Sequence, residues 1–280
     1  MSKKVYDLIT NVIIEKLEEG NIPWQKPFLN QSAVNWVTQK EYRGINVMLL
    51  ESGEYATFKQ ISEAGGKVKK GSKGSIVVFW KLFKNEDEET GEEKIVPMLR
   101  YYKVFKVGKQ TEGIEPKRKE IKFSHDPIGS ANKLIELYED KPVLKSSDNS
   151  GAYYSPSEDF VNVPVMDNFP NVEDYYNTMF HELVHSTGHR NRLNREGVTN
   201  VVQFGSERYS KEELVAEIGA AMLCGIAEIE NKTIDNSVSY IQSWLRALKN
   251  DSTLIVTASQ QAQKASDYVQ GIKHKDKALT

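Results

Sequence analysis

Three of the chain's five histidines fall within nine residues, HELVHSTGH, positions 181–189. His181, Glu182 and His185 form H-E-x-x-H. On a helix, side chains four apart lie one above the other, so both imidazoles can converge on a single cation. The intervening Glu182 is then placed to take a proton from a water activated by the ion and to hand it to a leaving group. Zinc is the ordinary ion for two neutral imidazoles and a carboxylate. The bland reading is two surface or core histidines with no ion, which a short motif alone leaves open.

The flanks favour a helix. Asn171 is a good N-cap, Glu173 and Asp174 sit in the first turn, and Tyr176, Met179, Phe180, Leu183 and Val184 supply a buried side. A catalytic ion needs a third protein ligand. The extended pattern would place histidine at 191, and the sequence has Asn191. The next source is YSKEELVAEIGAAML (209–223), which offers Glu212, Glu213 and Glu217 on an expected helix. A carboxylate among Val215, Ile218 and Met222 is costly unless paired or bound to a metal. Glu213 is the candidate ligand, with Glu217 behind it to accept the second N–H of a ligand imidazole. Two alternatives stay open: the two glutamates could exchange roles, or Ser210 and Glu213 could merely form a capping box. His189 is a candidate for supporting a ligand, donating to a transition state or closing the helix, the last favoured by its spacing, and Tyr209 for stabilising an oxyanion. Arg190, Arg192 and Arg195 could receive a carboxylate or phosphate, although a solvated loop is the ordinary reading.

Composition bounds the rest. Hydrophobic content of 39% with 27% charged residues fits a globular chain rather than a disordered one. The single cysteine, Cys224, lies in an apolar helical stretch and reads as a small buried hydrophobe. The opening MSKKVYDLITNVIIEKLEEG mixes apolar and charged residues with no cleavage site, so no secretion signal is expected there. No apolar run approaches membrane-spanning length. Together these favour the cytoplasm and no membrane partner. Residues 1–125 carry 22 Lys and Arg against 17 Asp and Glu, a balance of +5, and the remainder balances at −7. Six of the front acids sit in NEDEETGEE (85–93), which reads as a solvated hairpin tip. A polyanionic partner is therefore expected for the front part alone.

The periodicity predicts a helix over 3–19 closed by Gly20, and a short helix after a Thr57-to-Gln60 capping box. A basic turn then leads into two paired strands, SIVVFWKLF and KIVPMLRYYKVFKV. Polar residues 108–124 read as a linker between domains at 1–120 and 125–280. Beyond it, one helix, two short strands and four helices (171–188, 211–228, 236–249, 252–270) are expected. The fold class is α+β, with a mainly helical C-terminal part carrying a small sheet. Residues 59–84 hold seven lysines and one acid, interleaved with Phe58, Phe79, Trp80 and Phe83. Exposed rings stack on unpaired bases while ammonium groups track phosphates, although strand aromatics and edge lysines serve a fold equally well. Lys67, Lys69, Lys70, Lys73 and Trp80 are the candidate DNA contacts, with Arg43 and Trp36 upstream.

NIPWQKPF, YRGINVMLL, TFKQISEAGGKVKKGSKGSIVVFW and YKVFKVGKQTEGI together resemble the N-terminal domain of ArdC-type antirestriction proteins. DFVNVPVMDNF, HELVHSTGH with Arg192 and Leu193, and EELVAEIGAAML resemble the zincin-like metallopeptidase domain that follows it. The resemblance covers nearly the whole chain, with the motifs in the expected order. It implies a single-stranded-DNA-binding domain joined to a metal-binding, peptidase-like domain, carried by plasmids or other conjugative elements. Such proteins are held to protect incoming DNA from restriction. The rival expectation is a dedicated cytoplasmic zinc metalloprotease whose front domain recognises a host protein substrate.

Overall fold

The structure is a computed structural model that describes residues 2–24, 33–86, 93–118, 127–147, 151–199, 207–229 and 237–273. The architecture is α+β, and the chain divides into two compact units: Met1–Glu15 with Gln31–Ile121, and Lys16–Asn30 with Lys122–Thr280. Helix α1 (Ser2–Glu18) opens the chain. Val5, Ile9, Ile13 and Leu17, four apart, are all buried, and Gly20 closes the helix at φ +78°. Only glycine takes that conformation without strain.

The first unit then runs β1 (Ala33–Asn35), α2 (Ile45–Leu49), β2 (Gly53–Thr57), α3 (Phe58–Glu63), β3 (Lys67–Val68), β4 (Ser75–Glu86), β5 (Glu93–Lys106) and β6 (Thr111–Glu112). The main sheet has the order β1-β2-β5-β4, with β1 parallel to β2 and the other pairs antiparallel. Strand side chains alternate faces. Tyr55 therefore joins Ala33, Leu50, Val77 and Val104 on one side of β2, while Ala56 joins Ile61, Val107 and Ile114 on the other. The expected strand pair is β4–β5, in register from Ser75–Val104 to Glu86–Glu93. Residues 87–92 of the acidic tip lie outside the described residues. Helix α3 begins with the expected capping box, in which Thr57 Oγ1 accepts from Gln60 N–H and Gln60 Oε1 from Thr57 N–H.

β4 ends the sheet, and an end strand offers unpaired backbone groups. Asn46 of α2 answers two of them: its amide accepts from Val78 N–H and donates to Val78 C=O, both at 2.8 Å. The stretch read as a linker is described to residue 118, and there it is packed. β6 pairs with β3, Ile114 is buried, and the buried Glu54 carboxylate accepts from the Arg118 backbone N–H and from Gln39 Nε2. Thr111 is buried there, while Lys109, Glu112, Glu115 and Lys117 remain exposed.

The second unit comprises α4 (Pro127–Leu137), β7 (Val143–Lys145), β8 (Tyr153–Ser155), β9 (Phe160–Asn162), α5 (Val172–Thr187), α6 (Glu196–Thr199), α7 (Glu207–Ala227), α8 (Ser237–Asn250) and α9 (Leu254–Val269). The four helices expected near the C-terminus are α5, α7, α8 and α9. The small sheet has the order β7-β9-β8. Helix α7 packs against α5, α9, α4, α6 and α8. Accordingly Leu214, Val215, Ala216, Ile218, Ala220, Ala221, Leu223 and Cys224 are buried around much of its circumference. Cys224 is the buried hydrophobe expected. Among the described residues, no helix is long and apolar enough to cross a membrane. The tail from 274 onward lies outside them.

Candidate metal centre and nucleic-acid surface

Helix α5 starts as the sequence requires: Asn171 Oδ1 accepts from Asp174 N–H at 2.8 Å. Tyr176, Met179, Phe180, Leu183 and Val184 are buried, which fixes the rotation of the helix and puts His181 and His185 together. Their Nε2 atoms are 3.1 Å apart. Helix α7 meets α5 at close range where Gly219 faces Val184. A β-carbon at 219 would lie 2.8 and 2.9 Å from the two Val184 methyls, so only glycine allows this approach. Two turns earlier on α7, Glu213 reaches both rings, with Oε2 3.5 Å from His181 Nε2 and Oε1 3.5 Å from His185 Nε2. One donor atom from each of the three residues lies within 4.8 Å of the others.

Each ring's remaining nitrogen faces another carboxylate. Glu217 Oε1 stands 3.7 Å from His181 Nδ1, and Glu212 Oε1 3.4 Å from His185 Nδ1. Glu182 is buried beside them. Burial alone would lower the pKa of His185, but hydrogen bonds to Glu212 and Glu213 outweigh it and push it up to about 10. His181 is raised the same way, against its burial, chiefly by Glu213. Burial pushes Glu217 up, whereas the two imidazoles outweigh burial at Glu213 and hold it well below the usual carboxylate range. A field that stabilises imidazolium at two adjacent histidines also attracts a metal cation, and two imidazoles with a carboxylate are a suitable donor set.

The structure corrects several readings. Helix α7 begins at Glu207, so Ser210 lies inside it and cannot cap it with Glu213. The Tyr209 side chain lies outside the described residues. Of the roles open to His189, closing the helix fits: just past the end of α5 its N–H donates to Ser186 C=O at 3.0 Å and its buried ring accepts from Asn191 N–H at 3.3 Å through Nδ1, with no bond to the cluster among the described residues. Arg190 is exposed, but Arg192 and Arg195 are not a solvated loop. Arg192 forms a bidentate pair with Asp159, 2.8 Å on each arm, and donates to Ser186 C=O and Asp140 C=O. Arg195 is buried on Glu212. The only sequence signal for these two was a cluster of arginines closely following the histidine motif.

In the first unit, alternation puts Trp80, Leu82, Tyr101 and Lys103 on one face of β4–β5, all exposed. Tyr6 meets Trp80 edge-on at 6.5 Å. Lys67, Lys70, Lys73 and Arg43 are exposed. Two other candidates are held by the fold. Lys69 Nζ donates to the carbonyls of Gly108 and Lys109 at 3.2 and 3.1 Å. Trp36 Nε1 donates to Glu115 C=O at 2.9 Å, and Lys117 covers its ring at 4.2 Å. The Phe83 side chain lies outside the described residues.

Residues 3–105 match the family described as the N-terminal domain of anti-restriction factor ArdC, and residues 132–261 match the zincin-like metallopeptidase family. Two Escherichia coli proteins named DNA primase TraC are 32% and 30% identical over 98% of this chain, which spans only 28% and 20% of their length. The protein y4eC of Sinorhizobium fredii (strain NBRC 101917 / NGR234) is 29% identical, over 95% of this chain and 91% of that one. Among solved structures, the metal-free antirestriction ArdC protein from the R388 plasmid is 36% identical with a TM-score of 0.77, covering 95% of this chain and 96% of that chain. Its Mn(II)-bound form is 34% identical with a TM-score of 0.76, at the same coverage. With its ArdC N-terminal domain followed by a zincin-like metallopeptidase domain, the chain belongs to the ArdC antirestriction family.

Proposed function

We propose that this chain is a cytoplasmic antirestriction protein of a mobile genetic element that binds single-stranded DNA through residues 1–120 and carries a zinc-dependent peptidase-type centre in residues 125–280. The observation that carries the reading is the convergence of His181, His185 and Glu213 on one point. These three would hold the ion, with Glu217 orienting the His181 ring. A bound divalent ion would polarise a scissile carbonyl as a Lewis acid. Glu182, on the same helix, would accept the proton of the attacking water and return it to the leaving amine. Exposed Trp80 and Tyr101 beside Lys103, together with exposed Lys67 on β3 and Lys70 and Lys73 in the segment between β3 and β4, support a surface where bases stack and phosphates are neutralised. Gel-shift titration with single- and double-stranded oligonucleotides at two salt concentrations tests this. A salt-dependent preference for single strands is expected; no binding at low salt removes the DNA half of the proposal.

The complete histidine–glutamate set favours a second reading, a dedicated cytoplasmic zinc metalloprotease whose first unit recognises a host protein. Glu182→Gln should then abolish cleavage of that protein while sparing metal uptake. If DNA protection in cells is untouched by the substitution, the metal centre and the antirestriction role are separate properties.

A further inference from the structure

We infer that Arg195 and Glu212 form a buried clamp whose role is to position His185 for metal binding, an inference that rests on the metal-centre reading above. Glu212 Oε1 faces His185 Nδ1 at 3.4 Å, so the carboxylate can accept a hydrogen bond from Nδ1–H and leave Nε2 turned towards His181 and Glu213. Glu212 is itself gripped. Arg195 Nε donates to Oε2 at 3.1 Å and Nη2 to Oε1 at 2.6 Å. The rest of the guanidinium is tied to the helix carrying the histidines, with Nη1 donating to Thr187 Oγ1 and Nη2 to Val184 C=O, both at 2.7 Å. The clamp thus joins the last turns of α5 to α7, the two elements that supply the candidate ligands.

Both side chains are 6% exposed. A buried ion pair of this kind contributes little net stability, because desolvating both charges offsets most of their attraction. Geometric control of His185 is what it supplies. The backbone is shaped around it: a β-carbon on Gly188 would lie 3.0 Å from Arg195 Nη2 and 2.5 Å from Val198 Cγ2, and one on Gly197 would lie 2.8 Å from Glu212 Cβ. These residues act through His185 and are positioning residues, not catalytic ones.

The test replaces both members together in the full chain, Arg195→Met with Glu212→Met, so that no charge is left buried alone. Zinc affinity is measured by chelator competition, thermal unfolding in parallel, and the cobalt(II) absorption spectrum reports ligand geometry. The double variant should unfold close to the wild-type temperature, bind zinc about 10–100-fold more weakly and show an altered cobalt band. Wild-type affinity and an unchanged band in the folded double variant would overturn the clamp while leaving the metal centre standing. If the wild-type chain takes up no divalent ion, the metal reading itself falls and the clamp with it. Should the double variant not fold, the neutral polar pair Arg195→Gln with Glu212→Gln serves instead, with an expected loss of about tenfold, the lower end of that range; no loss overturns the inference.

Discussion

Gly219→Ala should destabilise the second unit and weaken its metal affinity, although alanine is the better helix former. In an open helical position the exchange would stabilise by about 0.8–1.0 kcal/mol. At 219 the new methyl would sit 2.8 Å from Val184 Cγ2 and 2.9 Å from Cγ1, well inside ordinary carbon contact distance of roughly 3.5–4.0 Å. Val184 is buried on α5 and the backbone beside it accepts from Arg195, so it has little room to yield. Overpacking of this kind costs about 1–3 kcal/mol, which exceeds the propensity gain over most of that range. The net expectation is a loss of up to about 2 kcal/mol, seen as a melting temperature lower by about 4–8 °C at the top of that range in a unit of this size. Separating α7 from α5 also draws Glu213 away from the two imidazoles, so zinc affinity should fall with stability. Thermal unfolding and chelator competition on the same samples read both effects. Adding Val184→Ala removes the opposing methyls and should recover part of each loss. A Gly219→Ala variant that is more stable than wild type and binds zinc equally well would refute the close-approach reasoning.

Asn46→Ala should leave Val78 N–H and C=O unpaired at the end strand of the main sheet, costing about 2–4 kcal/mol; chemical denaturation and faster exchange of the Val78 amide would show it. Burial opposes charge on Asp159, but hydrogen bonds from Arg192 and Tyr154 outweigh it and hold the carboxyl below its ordinary 3.8. Its folded pKa is thus the lower one, so its stabilisation is complete above the unfolded value and is lost as pH falls below about 4 through the folded pKa. Comparing the acid unfolding of wild type with Asp159→Asn should show a shallower loss in the variant, and parallel curves would count against the pair. Trp80→Ala should weaken single-strand binding by about 1–3 kcal/mol, the worth of one stacked base, with little change in salt dependence, whereas Lys73→Ala should mainly flatten the salt dependence; fluorescence anisotropy titrations separate the two.

The parts of this molecule legible in the sequence are those governed by local spacing. His181 and His185 share a face because they are four residues apart on a helix whose cap and buried side are all written within 171–184. The β4–β5 pair, the capping box of α3 and the Gly20 stop are equally local. Glu213 was reachable because a carboxylate in so apolar a segment needs a partner. Helix α7 was harder: it is surrounded by other helices, so no polar face marks its start, and its first turn precedes the expected one. Arg192 and Arg195 escaped because their partners, Asp159 and Glu212, are 33 and 17 residues away and nothing between them sets the contact. Strands of two or three residues, such as β1, β3 and β6, are too short to show alternation. Trp36 and Lys69 look like nucleic-acid contacts by type, yet backbone carbonyls from residues far along the chain claim their donors.

The most direct test of the central claim is a zinc titration of the wild-type chain by chelator competition, with Glu213→Ala measured beside it. If two imidazoles and this carboxylate share one ion, the wild type takes up a single equivalent tightly and the variant loses most of that affinity. A wild type that binds no zinc, or a variant that binds it just as well, contradicts the account.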